Sequence, residues 1–160
     1  MITIELCDKN PIKSLFFEFP QLISIWPNHL SLLAQDATQQ WEANSDENGE
    51  IYKIIDHHLG YHVVGITGWW PISDTDAGLR WHGVIQAARR NGISKTALQL
   101  LSERLQNNYD FLHEVAYTPN AAHYFEKNGF FRSLDIEKNK KIITSAEGGE
   151  IVLTKPLLKI

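Results

Sequence analysis

Gly83-Val84-Ile85-Gln86-Ala87-Ala88-Arg89-Arg90-Asn91-Gly92-Ile93-Ser94 runs into Lys95-Thr96-Ala97-Leu98-Gln99-Leu100-Leu101-Ser102-Glu103-Arg104-Leu105, and this stretch decides the fold. Its first residues close a strand-like run. Its last eleven continue Ile93 with Ala97, Leu101 and Leu105, a four-residue recurrence that places these side chains on one helix face. Between the two lies a turn with two arginines, an asparagine and a glycine, then a serine where a helix would begin. A helix N-terminus leaves backbone N–H groups without partners and carries partial positive charge, so a phosphate is stabilised there. Gly92 lets the backbone approach such a group, and Arg89, Arg90 and Lys95 add full positive charge. The same residues also fit an ordinary strand-to-helix turn, with Ser94 as N-cap and the arginines in water.

Composition narrows the surroundings of that turn. A chain of 160 residues is expected to form one domain, residues 1–160, and to bury roughly two-thirds of its unfolded surface. The net charge of −4 and the lack of a long basic run disfavour a nucleic-acid partner. Cys7 stands alone, which excludes an internal disulfide framework and suits a reducing compartment. Residues 1–10 lack a basic start and meet Glu5 and Asp8 early, unlike a signal peptide. The apolar stretch between Glu18 and Asp36 contains Pro20, Pro27 and Asn28, so it does not read as a membrane span. The expectation is a cytoplasmic protein without a membrane partner.

Along the chain, Ile2, Ile4 and Leu6 alternate in a first strand at 1–6. Residues 13–19 suggest a short helix ended by Pro20. Pro27-Asn28 looks like a helix start, followed by Leu30, Leu33, Ala34, Ala37 and Trp41 at helical spacing. Residues 44–49 read as a polar loop. The period then changes: strands at 51–56 and 61–70 flank a tight connection at 57–60, which makes a hairpin. A loop at 71–76 and a strand at 77–85 lead into the turn. A helix at 94–105, a strand at 111–117, a helix at 120–127, a strand at 130–134, a charged loop at 137–141 and a strand at 151–154 complete the chain. Strands in a meander followed by strand–helix–strand–helix–strand give a mixed α/β layout around one sheet.

Val84-x-x-x-x-Arg89-Arg90-x-Gly92-x-Ser94 resembles the acetyl-CoA signature of the GNAT acetyltransferase superfamily, Arg/Gln-x-x-Gly-x-Gly/Ala. Gln86 stands where proline is frequent, Arg90 where glycine is frequent, and Ser94 in the last Gly/Ala slot. A second stretch, Pro119-Asn120-Ala121-Ala122-His123-Tyr124-Phe125-Glu126-Lys127-Asn128-Gly129-Phe130, resembles the family's other signature, in which Asn-Ala opens a helix and Gly129 ends it. The resemblance covers most of the chain beyond the first fifty residues. It implies a mostly antiparallel central sheet of about six to seven strands flanked by helices, with acetyl-CoA (coenzyme A) as cosubstrate between the fourth and fifth strands. It further implies that Val84 and Ile85 meet the pantetheine arm, that Arg89, Arg90, Asn91, Gly92, Ile93 and Ser94 hold the pyrophosphate, and that Asn120 and Phe125 lie along the cofactor. The acceptor would be a small-molecule amine or a protein amino group, with a homodimer as one possible state.

Five residues are candidates for the chemistry. Acyl transfer to an amine needs the amine neutral, so a base is wanted. Strand alternation puts Arg80, His82 and Val84 on one face and Leu79, Trp81 and Gly83 on the other, so His82 is the first candidate base. Glu114 and Asp76 are alternatives. The family's proton-donating tyrosine falls at Phe125 here, one residue after Tyr124, which makes Tyr124 the first candidate acid and Tyr117 the second. A metal site is not expected: His57, His58 and His62 sit at a hairpin, where Gly60 breaks any helix that could align them. A non-catalytic acyl-CoA-binding module is the competing reading. Acetylation of charged RNA is disfavoured by the acidic balance. Trp69-Trp70, with Trp81 on the neighbouring strand, read as core and cleft wall rather than a base-stacking platform, and exposed tryptophans hint at a partner surface.

Overall fold

The computed structural model describes residues 1–7, 15, 16, 18–25, 49–58, 60–116, 118–144 and 151–157. Among the described residues there are seven strands: β1 Ile2–Leu6, β2 Glu50–Asp56, β3 His62–Pro71, β4 Asp76–Val84, β5 Phe111–Ala116, β6 Phe131–Arg132 and β7 Ile151–Pro156. They hydrogen-bond in the order β1-β2-β3-β4-β5-β7-β6. Every pairing with a resolved register is antiparallel except β4 with β5, so the sheet is mixed and mostly antiparallel. Three α-helices follow the long strands: α1 Ile93–Leu105, α2 Pro119–Lys127 and α3 Ile136–Thr144. No helix among the described residues is long and apolar enough to cross a membrane.

The chain forms two compact units. The first comprises residues 1–70 and 80–101. Its core is built from one face of β2 and β3: Ile51, Ile55, Val63 and Ile66 pack with Leu15, Leu22 and Ile25, and Trp81 and Ile85 cover them. The switch from Val63 to Ile66 on that face follows a register shift opposite Ile54 and Ile55, which adds a residue to the strand. Gly65 permits close approach to β4, because a Cβ there would lie 2.4 Å from the Gly83 carbonyl oxygen. Trp69 and Trp70 are each 8% exposed. They belong to the interior, in agreement with their reading as core residues.

The second unit comprises residues 71–79 and 102–160. Here Asp76, Ala77 and Gly78 pair in parallel with Phe111, Leu112 and His113, and β7 runs antiparallel along β5 from Phe111↔Pro156 to Ala116↔Ile151. Val115, Val152, Ile142 and Ile72 form its apolar cluster.

Several elements differ from the sequence expectation. Pro20 opens a 3-10 segment, Pro20–Ile25, because a proline is tolerated in the first turn of a helical stretch. The charged loop expected at 137–141 is part of α3. Asp135 accepts from the Lys138 N–H at 3.1 Å and caps it, and Ile142, fully buried, anchors it to Val115 and Val152. The strand expected at 130–134 shortens to Phe131–Arg132, since only two residues find partners on β7. The expected helix from Pro27 to Trp41 and most of the loop at 44–49 lie outside the described residues.

Candidate functional site

The turn after β4 is held by its own side chains. A 3-10 segment, Gln86–Ala88, follows the strand, and the Ala88 and Arg89 N–H groups donate to Ile85 and Gln86. Arg89 folds back over the turn: its Nε donates to the Val84 carbonyl at 3.3 Å and its Nη2 to the Ile25 carbonyl at 3.0 Å. Arg90 and Gly92 then take left-handed backbone angles, φ 68° and 73°. That conformation suits glycine and strains arginine by about 1–2 kcal/mol. Among the described residues, no backbone carbonyl accepts the N–H groups of Arg90, Asn91, Gly92 or Ile93, while the Gly92 carbonyl begins α1 by taking the Thr96 N–H. Successive backbone donors around a left-handed residue, at the positive end of a helix, form an anion cradle. Ile85, Asn91 and Ile93 also border a groove of about 330 Å³, with Gln21, Asp56 and His62 among its other walls.

The middle of β4 departs from strand alternation. Trp81 has φ 54°, in the left-handed region that bulky residues avoid. Its ring packs on the cluster of Ile51, Ile55 and Ile66, and the Arg80 guanidinium lies 5.2 Å from the ring of Trp70, which shares the face of Ile66. Arg80 and Trp81 therefore turn to one face and His82 to the other. The expectation that Arg80 and His82 share a face is corrected: a left-handed residue inside the strand reverses the alternation. The His82 ring is bonded on both sides, Nδ1 to Thr67 Oγ1 at 3.0 Å and Nε2 to Ser94 Oγ at 2.8 Å. Burial pushes its pKa down to about 4, so the ring is neutral at pH 7. Ser94, expected as N-cap, lies inside the first turn of α1 with its hydroxyl on His82.

The remaining candidates belong to the second unit. Glu114, opposite Leu153 on β5, is half-buried and has no hydrogen-bond donor among the described residues. Burial raises its carboxyl well above the usual range. The helix of the second motif starts one residue earlier than expected, at Pro119. Thr118 is its cap, its Oγ1 accepting from the Ala121 N–H at 3.1 Å, and Asn120 is exposed in the first turn. Gly129, at φ 91°, follows the helix as the sequence suggests. Phe125 is buried between Tyr124 and Phe130, with ring centroids 5.1 and 5.2 Å away, and Tyr124 is half-buried. Tyr117 lies outside the described residues.

Asp76 is not available as a base. It is 4% exposed and accepts from His113 Nε2 at 2.5 Å, Lys138 Nζ at 2.6 Å and Thr75 Oγ1 at 2.6 Å. Burial alone would raise its carboxyl, but the bonds from His113, Lys138 and Thr75 outweigh it and hold the group well below the ordinary carboxylate range. His113 Nδ1 meets Thr154 Oγ1 at 2.9 Å, completing a buried Thr154–His113–Asp76–Lys138 chain. The sequence carried no spacing signal for it, because its members are 37 and 41 residues apart.

The family model described as the acetyltransferase (GNAT) family matches residues 15–130. No curated protein matches the sequence. Among solved structures, a GNAT-family acetyltransferase from Staphylococcus aureus is 18% identical over 99% of this chain and 100% of its own, with a TM-score of 0.71. An acetyltransferase from Streptococcus agalactiae is 14% identical over 98% of each chain, with a TM-score of 0.72. A GNAT-family acetyltransferase from Elizabethkingia anophelis, solved with acetyl-CoA bound, is 17% identical over 98% of each chain, with a TM-score of 0.63. At such identities the likeness is one of fold.

Proposed function

Because the chain belongs to the GNAT acetyltransferase family, we propose that it acts as a single N-acetyltransferase domain. In this reading it moves the acetyl group of acetyl-CoA directly onto a primary amine of a small molecule or protein. The observation that carries this reading is the row of N–H groups from Arg90 to Ile93, without backbone acceptors among the described residues and set at the start of α1 by two left-handed residues. Those donors suit the pyrophosphate of coenzyme A, with Arg90 and Lys95 adding charge from exposed positions. Arg89 supports the cradle from behind, since its guanidinium is committed to the Val84 and Ile25 carbonyls.

Transfer requires a neutral amine, whose nitrogen attacks the thioester carbonyl, forms the new C–N bond and expels the thiolate. Glu114 is the better base of the two candidates. A carboxyl that burial raises well above its ordinary range accepts a proton more readily than an imidazole lowered to about 4. Tyr124 is the candidate donor to the departing thiolate, and Phe125 supplies an apolar wall. Positioning the thioester beside the amine provides much of the rate in such a scheme, so neither proton carrier need be strong.

The phenylalanine at 125, where the resemblance to the family implies a tyrosine, favours a second reading in which the chain binds acyl-CoA without transferring the acyl group. A panel of primary amines with acetyl-CoA, read as free thiol released, separates the two. Amine-dependent release above the rate with acetyl-CoA alone is expected. Binding of acetyl-CoA with no release for any small amine or lysine-bearing peptide would favour the binding module.

A further inference from the structure

We infer that His82 is a positioning residue rather than the base: its imidazole, held between Thr67 on β3 and Ser94 on α1, sets the place of the α1 N-terminus and of the N–H groups before it. This inference rests on the reading of the turn as a pyrophosphate cradle. Eleven residues separate His82 from Ser94, and two of them, Arg90 and Gly92, hold left-handed angles. The side-chain bonds of Arg89 fix the beginning of that segment, and burial of Ile93, Ala97 and Leu101 fixes the helix behind it. The His82–Ser94 bond, at 2.8 Å, ties its far end to the centre of the sheet. On the other side, the 3.0 Å bond to Thr67 fixes the ring plane. Thr67 is fully buried and lies opposite Tyr52 on β2, so the anchor is rigid.

Two other roles fit less well. A base must receive the amine's proton, and both ring nitrogens already engage hydroxyl groups. A serine 2.8 Å from a histidine is also the geometry of a nucleophile with its activating base. Such pairs orient the imidazole with a carboxylate, whereas here Thr67 holds it, and burial beside the positive end of a helix disfavours the imidazolium that nucleophilic attack would create. The neutral ring instead gives the turn a fixed, uncharged support.

The test compares His82→Ala, His82→Gln, Ser94→Ala and the double variant His82→Ala with Ser94→Ala against the wild type in two measurements. The first is amide hydrogen exchange without ligand, which reads the support independently of any activity. The amides of Thr96, Ala97 and Leu98, the first of α1 with backbone acceptors, should exchange about five- to tenfold faster in His82→Ala and Ser94→Ala, as expected for one lost hydrogen bond, while those in the middle of α1 do not change. Because a glutamine amide can still reach Ser94, His82→Gln should recover most of the protection. The second is calorimetric titration with coenzyme A, where both alanine variants should bind about five- to tenfold more weakly and the double variant no more weakly than either. Unchanged exchange in both alanine variants would overturn the inference. Faster exchange together with a wild type that binds no coenzyme A would support the anchor and sink the cofactor reading instead. A covalently acetylated Ser94 after incubation with acetyl-CoA would overturn the inference in favour of a nucleophile.

Discussion

Asp76→Asn is expected to lower the unfolding free energy by about 3 kcal/mol, the scale on which loss of one partner in a buried ion pair acts. The carboxylate lies at the start of β4, where the parallel pairing with β5 begins, and it collects an imidazole, an ammonium and two hydroxyl groups. Asparagine keeps the shape but removes the charge opposite Lys138 and offers one acceptor oxygen to donors that used two. Urea unfolding at pH 7 checks the size, and a loss under 0.5 kcal/mol would contradict this account of the network. The sign with pH follows from the directions of the shifts. A carboxyl held below its ordinary value stabilises the fold above about pH 4 and loses that contribution as pH falls further, so the gap between wild type and variant should narrow only in strong acid. Burial lowers His113 below its ordinary value despite Asp76, so the unfolded chain takes up the histidine proton first. The wild type should therefore lose stability as pH drops from about 6.5.

Glu114→Gln should act in opposite directions on rate and stability. If Glu114 takes the amine's proton, its loss lowers kcat by about 10²-fold and removes the acidic limb of the pH–rate profile. The same substitution should raise Tm at pH 7–8. A carboxyl whose folded pKa lies above its unfolded one is destabilising when ionised, and that cost vanishes below the unfolded value. The gain should therefore shrink toward pH 4. A site that gives up stability to keep a tuned carboxyl shows this pairing of effects. Equal kcat in wild type and variant, at saturating acetyl-CoA and any accepted amine, would remove Glu114 from the mechanism.

The fold was legible where local signals agreed. Gly92 and Gly129 announced a turn and a helix end that both require left-handed backbone, and the Ile93–Ala97–Leu101–Leu105 recurrence placed α1 within one residue. The hairpin of β2 and β3 followed from its change of period around Gly60. Helix α3 escaped notice because Glu137, Lys138, Lys140 and Lys141 dominate its sequence, and buried Ile142 shows its worth only beside Val115 and Val152. The left-handed residue in β4 was illegible for a different reason. No glycine marks it, and a tryptophan in a left-handed conformation is held there by packing that only the folded chain supplies. That one residue reversed the facing of His82 relative to Arg80, and with it the role inferred for the histidine. The Asp76–His113–Lys138 chain is likewise a product of topology, since no motif joins residues so distant in sequence.

Thermal unfolding with and without acetyl-CoA, in the wild type and in Gly92→Glu, tests the central claim most directly. A cosubstrate at a hundred times its Kd adds about 2.7 kcal/mol to the native state, which for a chain of this size raises Tm by roughly 5–10 °C. The account predicts that shift in the wild type. It predicts none in Gly92→Glu, where φ 73° opposes any side chain and a carboxylate would stand among the donors meant for phosphate. Absence of a shift in the wild type, or an equal shift in both proteins, would contradict it.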